Sequence, residues 1–111
     1  MQPGPVDTPT AAALAGELVD ATVNEWAIQL SRTEMPAGQI TFRVRNTGQV
    51  MHDFEVENDE GEWEVDGDVP PGEERTLNVT LQPGTYEVYC PMETEHGEHR
   101  ELGMRTTFTV R

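Results

Sequence analysis

The chain has no lysine, one cysteine, and no apolar run near the roughly 20 residues of a membrane span. Each shortage removes a class of explanation. Without lysine there is no Schiff-base nucleophile, and 7 arginines stand against 21 acidic residues for a formal net charge of -14. Such a field repels nucleic acid and anionic membrane and favours basic partners or high-salt surroundings. One cysteine cannot close an intramolecular disulfide, so Cys90 is a free thiol, a small buried hydrophobe or a metal ligand. There is no Gly-rich phosphate loop, and carboxylates are too abundant for any pair to stand out as acid and base. No enzymatic constellation emerges. Met1–Thr10 has neither the basic start nor the apolar core of a signal peptide.

What is present fits one domain. A chain of 111 residues buries roughly two thirds of its unfolded surface and folds without a structural metal, so any metal serves function. Residues 1–15, with three prolines and an Ala-rich stretch, read as a flexible leader or tether remnant. A short helix over Ala11–Leu18 is the alternative, interrupted by Gly16. The domain proper is 16–111.

From Glu17 onward apolar residues recur with period two and turn residues punctuate the runs. Leu18–Val23 and Trp26–Leu30 read as an opening strand with a bend. Ile40, Phe42 and Val44 alternate with polar neighbours before Asn46-Thr47-Gly48; Phe54 and Val56 alternate with Asp53, Glu55 and Glu57. Leu77, Val79 and Leu81 form another run, and Tyr86–Cys90 and Met104–Val110 are the last two. Six or seven short strands with no room for crossover helices predict an all-β, antiparallel sandwich. Trp26 reads as a core aromatic and Trp63 as a rim one.

The chemistry-bearing residues fall in the order His52, Cys90, His99, Met104. A soft thiolate, two imidazoles and a thioether are the donor set of a mononuclear blue-copper centre. Strand parity supports convergence: His52 shares parity with Phe54 and Val56, Cys90 with Val88 and Tyr86, and Met104 with Phe108 and Val110. Spacing alone leaves His96 as a rival to His99, and Met92 as a rival to Met104.

At this point the chain resembles a known family. Asn46-Thr47-Gly48-Gln49-Val50-Met51-His52-Asp53-Phe54 is similar to the first-histidine strand of cupredoxins, and Tyr86-Glu87-Val88-Tyr89-Cys90-Pro91 to their cysteine strand. His99-Arg100-Glu101-Leu102-Gly103-Met104 resembles the final histidine-to-methionine segment. The resemblance implies a Greek-key β-sandwich of two sheets and one type 1 copper per chain, held by His52, Cys90, His99 and Met104. It selects His99 over His96, because His99-x4-Met104 with Gly103 before the methionine matches the family. The spacing Cys-x8-His-x4-Met resembles the blue-copper domain of copper nitrite reductases. Tyr89 stands where those enzymes carry a bridging histidine to a second copper. A dinuclear centre with two bridging cysteines is excluded by the single Cys90.

The implied function is a single-electron carrier, not an enzyme. A copper chaperone or storage module, or one domain of a larger redox protein, is the alternative. Asp53, beside His52, is expected to hydrogen-bond across to the cysteine loop. Nine of the 16 residues from Asp53 to Asp68 are acidic, either a solvated edge or a dock for a basic redox partner. The resemblance offers a second docking surface, an apolar rim around an exposed edge of His99. It further implies an extracytoplasmic, monomeric protein, with any membrane tether outside this chain.

Overall fold

The computed structural model describes residues 16–111. The leader lies outside the described residues, as does most of the alternative helix, whose Glu17 and Leu18 belong to a strand instead.

Among the described residues, eleven strands and one helical turn follow in order: β1 Glu17–Asn24, β2 Ala27–Leu30, β3 Glu34–Met35, β4 Gly38–Asn46, β5 Glu55–Asn58, β6 Gly61–Glu64, β7 Glu74–Leu81, β8 Gly84–Tyr89, β9 Glu93–Thr94, β10 Gly97–Glu98, α1 His99–Leu102 and β11 Arg105–Val110. One sheet has the order β2-β1-β4-β7 and the other β3-β11-β8-β5-β6; β9 and β10 form a small separate ribbon. After β2 the chain passes repeatedly from one sheet to the other, as a Greek-key sandwich requires. The extra strands lie in segments without a period-two apolar signal. β6, for example, is Gly-Glu-Trp-Glu inside the acidic run.

The period-two runs set the core. Val19, Ala21 and Val23 of β1, Ile40, Phe42 and Val44 of β4, and Leu77, Val79 and Leu81 of β7 point inward from one sheet. Val56, Tyr86, Val88, Phe108 and Val110 meet them from the other. Phe42 ties the layers, its ring centroid 5.5 Å from both Phe54 and Phe108. Each such side chain contributes about 1.5–3 kcal/mol on burial. The buried Tyr86 hydroxyl is satisfied, donating to the Gln82 carbonyl at 2.6 Å.

Two ladders depart from the antiparallel expectation. β1 runs parallel to β4, pairing Val19 with Phe42 and Val23 with Asn46, and β11 runs parallel to β3. A parallel pair needs a crossover of a dozen or more residues. Here residues 25–37 supply it as the short strands β2 and β3, so no helix is needed. The consequence is positional: β1 and β4 end at the same pole of the sandwich. The turn after β1 therefore lies beside the segment leading to His52.

Alternation also fails at one place that matters. Asp53 and Glu55, which alternate with the inward Phe54 and Val56, are themselves buried, so 52–56 is buried on every side. β6 pairs with β5 here, Glu55 opposite Glu64, and the Glu64 side chain meets that of Asp53. The Glu55 carboxylate accepts the Tyr89 hydroxyl at 3.0 Å.

Candidate metal centre

Three strands and one turn bring the donors to one pole. His52 sits just before β5, fixed by a two-way backbone bridge with Val69: its N–H donates to the Val69 carbonyl at 3.2 Å and its carbonyl accepts from Val69 N–H at 2.7 Å. Asn46 holds the preceding bend, its amide nitrogen donating to the carbonyls of Val50 and Val69 at 2.8 Å each while its oxygen accepts from Gly48 N–H. Cys90 follows directly on β8, and its N–H donates to the carbonyl of Met104. His99 opens α1, and Met104 enters β11 with its N–H donating to the His99 carbonyl at 3.0 Å. Gly103 makes that return possible: its φ of 129° lies outside ordinary L-residue space, and a Cβ there would sit 2.8 Å from the Trp26 carbonyl oxygen.

The donor atoms converge. His52 Nδ1 lies 3.3 Å from His99 Nδ1, and Cys90 Sγ 3.6 Å from His99 Nδ1. All three ligand atoms lie within 4.8 Å of one another, and all three residues are 0 % exposed. Donors sharing one ion in a trigonal plane, with bonds of about 2.0–2.3 Å, stand about 3.5–4.0 Å apart. The donor set therefore fits a single soft or borderline metal ion.

The electrostatics suit ligation. Burial pushes the Cys90 thiol up, while backbone N–H groups of Asp53 and Met92 pull it down. The metal-free sulfur thus carries a proton that metal must displace. Burial, then His52 and His96, lower the His99 pKa and keep that imidazole neutral, the form a metal needs.

Around the donors stand residues that sequence reasoning missed. The Glu25 carboxylate lies 3.0 Å from His52 Nε2 and accepts Gln49 N–H at 2.6 Å. Thr94 Oγ1 lies 3.0 Å from His99 Nε2. Trp26 is not a core residue. It is half-buried over the site, its ring 4.6 Å from that of His99, 5.9 Å from His52 and 5.3 Å from His96. His99 therefore presents no exposed edge, contrary to expectation. An acidic residue before an aromatic at a strand bend was the one signal available, and only the parallel β1–β4 ladder gives it meaning.

One further expectation changes. The bond across to the cysteine comes from Asp53, but from its backbone N–H, which reaches Cys90 Sγ at 3.3 Å. Its side chain instead accepts Phe54 N–H at 2.7 Å and pairs with Glu64. Burial, then Glu64, pushes the Asp53 carboxyl up to about 7. His96 is exposed and lies outside the donor cluster. Tyr89 is buried between Glu55 and the Arg100 guanidinium, 4.2 Å above its ring.

A family model described as a cupredoxin-like domain matches residues 7–98, spanning His52 and Cys90 and stopping one residue short of His99. The chain belongs to the cupredoxin-like family. Solved structures agree on the cupredoxin fold. Auracyanin B is 17 % identical with a TM-score of 0.70, the match covering 86 % of this chain and 88 % of that one. Auracyanin A, a "blue" copper protein from Chloroflexus aurantiacus, is 16 % identical with a TM-score of 0.69, covering 86 % and 99 %. A dithionite-reduced auracyanin from Roseiflexus castenholzii is 18 % identical at 0.63, covering 86 % and 96 %. A comparison with curated protein sequences gives no match.

Proposed function

We propose that this cupredoxin-like chain is a single-electron carrier that holds one copper ion through His52, Cys90 and His99, with Met104 as a weak axial ligand. The observation that carries the reading is the buried cluster of one thiol and two imidazole Nδ1 atoms within 4.8 Å. Bound there, copper supplies a one-electron couple whose two states both accept thiolate and imidazole donors. The chain's own residues do the rest. His52 and His99 are clamped at their outer nitrogens by Glu25 and Thr94, leaving Nδ1 of each for the metal. Asp53 N–H steadies the sulfur, and Trp26 covers both imidazoles and excludes water. Donors locked in this way move little between oxidation states, which favours fast transfer. Met104 supports the axial role by being 0 % exposed and bonded through its backbone to both Cys90 and His99.

A copper chaperone would need an exchangeable site. Three donors with no solvent exposure argue against that role. Membership of the cupredoxin-like family favours an extracytoplasmic electron carrier, and the acidic stretch from Asp53 to Asp68 favours a partner with a basic docking surface.

Titration with Cu(II), followed by visible absorption, tests the reading. One equivalent should produce an intense thiolate charge-transfer band, blue or green. His99→Ala should abolish the band or open the site to external imidazole, and His96→Ala should leave it unchanged. The reverse result would move the second histidine ligand to His96; a colourless stoichiometric complex would remove the electron-carrier reading.

A further inference from the structure

The nitrogen of His52 that faces away from the donor cluster does not end in solvent or on a backbone carbonyl. It meets Glu25, which belongs to the turn after β1, at 3.0 Å. His52 is 0 % exposed, so this is a carboxylate against a fully enclosed imidazole. The carboxylate is itself held. Its other oxygen accepts Gln49 N–H at 2.6 Å, and it packs so closely against Gly48 that a Cβ there would overlap it.

Of the two ring nitrogens, Nε2 faces a carboxylate oxygen, which accepts a hydrogen bond, and Nδ1 faces the donor cluster. The proton on a neutral His52 must therefore sit on Nε2, and Nδ1 must be the bare nitrogen, which is the one 3.3 Å from His99 Nδ1 in the donor cluster. We propose that Glu25 is a positioning residue for the metal site: it fixes the His52 tautomer and ring angle, and its negative charge favours the more oxidised metal state. This rests on the electron-carrier reading only for its second half; the tautomer belongs to the metal-free protein as well. A carboxylate on the far nitrogen makes an imidazole a stronger donor, and a stronger donor stabilises the higher charge. Thr94, an uncharged hydroxyl at 3.0 Å from His99 Nε2, offers the second imidazole no such charge. The two histidines are therefore unequal donors.

Two measurements on the full chain test this. Long-range proton–nitrogen correlation NMR of the metal-free protein should show His52 as the Nε2–H tautomer, retained in Glu25→Gln, whose amide oxygen still accepts, and mixed in Glu25→Ala. On copper-loaded protein, Glu25→Gln should raise the midpoint potential with the absorption band in place, and Glu25→Ala should lower Cu(II) affinity by about 10- to 100-fold. An unmixed tautomer in Glu25→Ala would overturn the positioning role. An unchanged potential in Glu25→Gln would overturn the electrostatic one. Failure of parent protein to give the band would count against the electron-carrier reading while leaving the NMR result standing.

Discussion

At the scale of single residues, the site separates donors that make the colour from groups that adjust it. Met104→Leu should keep the charge-transfer band, which arises from Cys90, yet shift the potential upward, because removing a weak donor favours Cu(I). Met104→Gln should shift it downward. Redox titration of both variants checks this, and no movement in either would place Met104 away from the metal. Trp26 carries a different expectation, since its indole lies over both ligand imidazoles. Trp26→Ala should make the absorption spectrum responsive to added imidazole or azide, while that of the parent should not respond. An unresponsive variant would show that exclusion of small ligands comes from elsewhere, such as Thr94 and the β9–β10 ribbon. His52, Cys90 and His99 were legible in the sequence because thiol and imidazole are rare here and stand at strand ends. Glu25 was not, since carboxylates are common throughout the chain.

Among the elements, what could be read depended on period. The apolar alternation of β1, β4, β7, β8 and β11 marked the core faces directly. The direction of pairing left no trace in that alternation. Parallel and antiparallel neighbours bury the same residues, so the β1–β4 ladder, and with it the placement of Glu25 and Trp26 beside His52, was hidden. β6 was hidden for another reason: its exposed glutamates look like loop, though on an edge strand they discourage edge-to-edge association. Beside it Asp53 and Glu55 are buried, and burial raises both carboxyls, Asp53 to about 7. The folded metal-free protein then holds these protons more tightly than the unfolded chain. The contribution of Asp53 to stability is complete below about pH 4 and is lost as pH rises through about 7. Urea unfolding of the metal-free protein should show stability falling over that window, and Asp53→Asn should flatten the fall. An equally steep fall in the Asn variant would assign it to other groups.

For the molecule as a whole, the net charge of -14 sets how it meets a partner. The β5–β6 hairpin carries the exposed Asp59, Glu60 and Glu62 along one sheet edge, while Met51 and Leu102, at 39 % and 41 % exposure, are exposed apolar residues near the ligands in sequence. An acidic dock implies association that weakens as salt shortens the Debye length from about 10 Å at 0.1 M to about 3 Å at 1 M. Asp59→Asn, Glu60→Gln and Glu62→Gln together should slow association with a cationic cytochrome more than they speed dissociation. Glu64 is left out because it pairs with Asp53. Stopped-flow rates that are flat with salt in both proteins would leave the hairpin as a solvated edge and favour the apolar residues. As an electron carrier, the protein must cycle a single electron at one buried thiolate site without losing its metal. Spectroelectrochemical titration of the copper-loaded protein measures this. The charge-transfer band should bleach and return in full along a one-electron Nernst curve, with copper retained. A band that fails to return, with copper released on reduction, would rule the electron-carrier reading out.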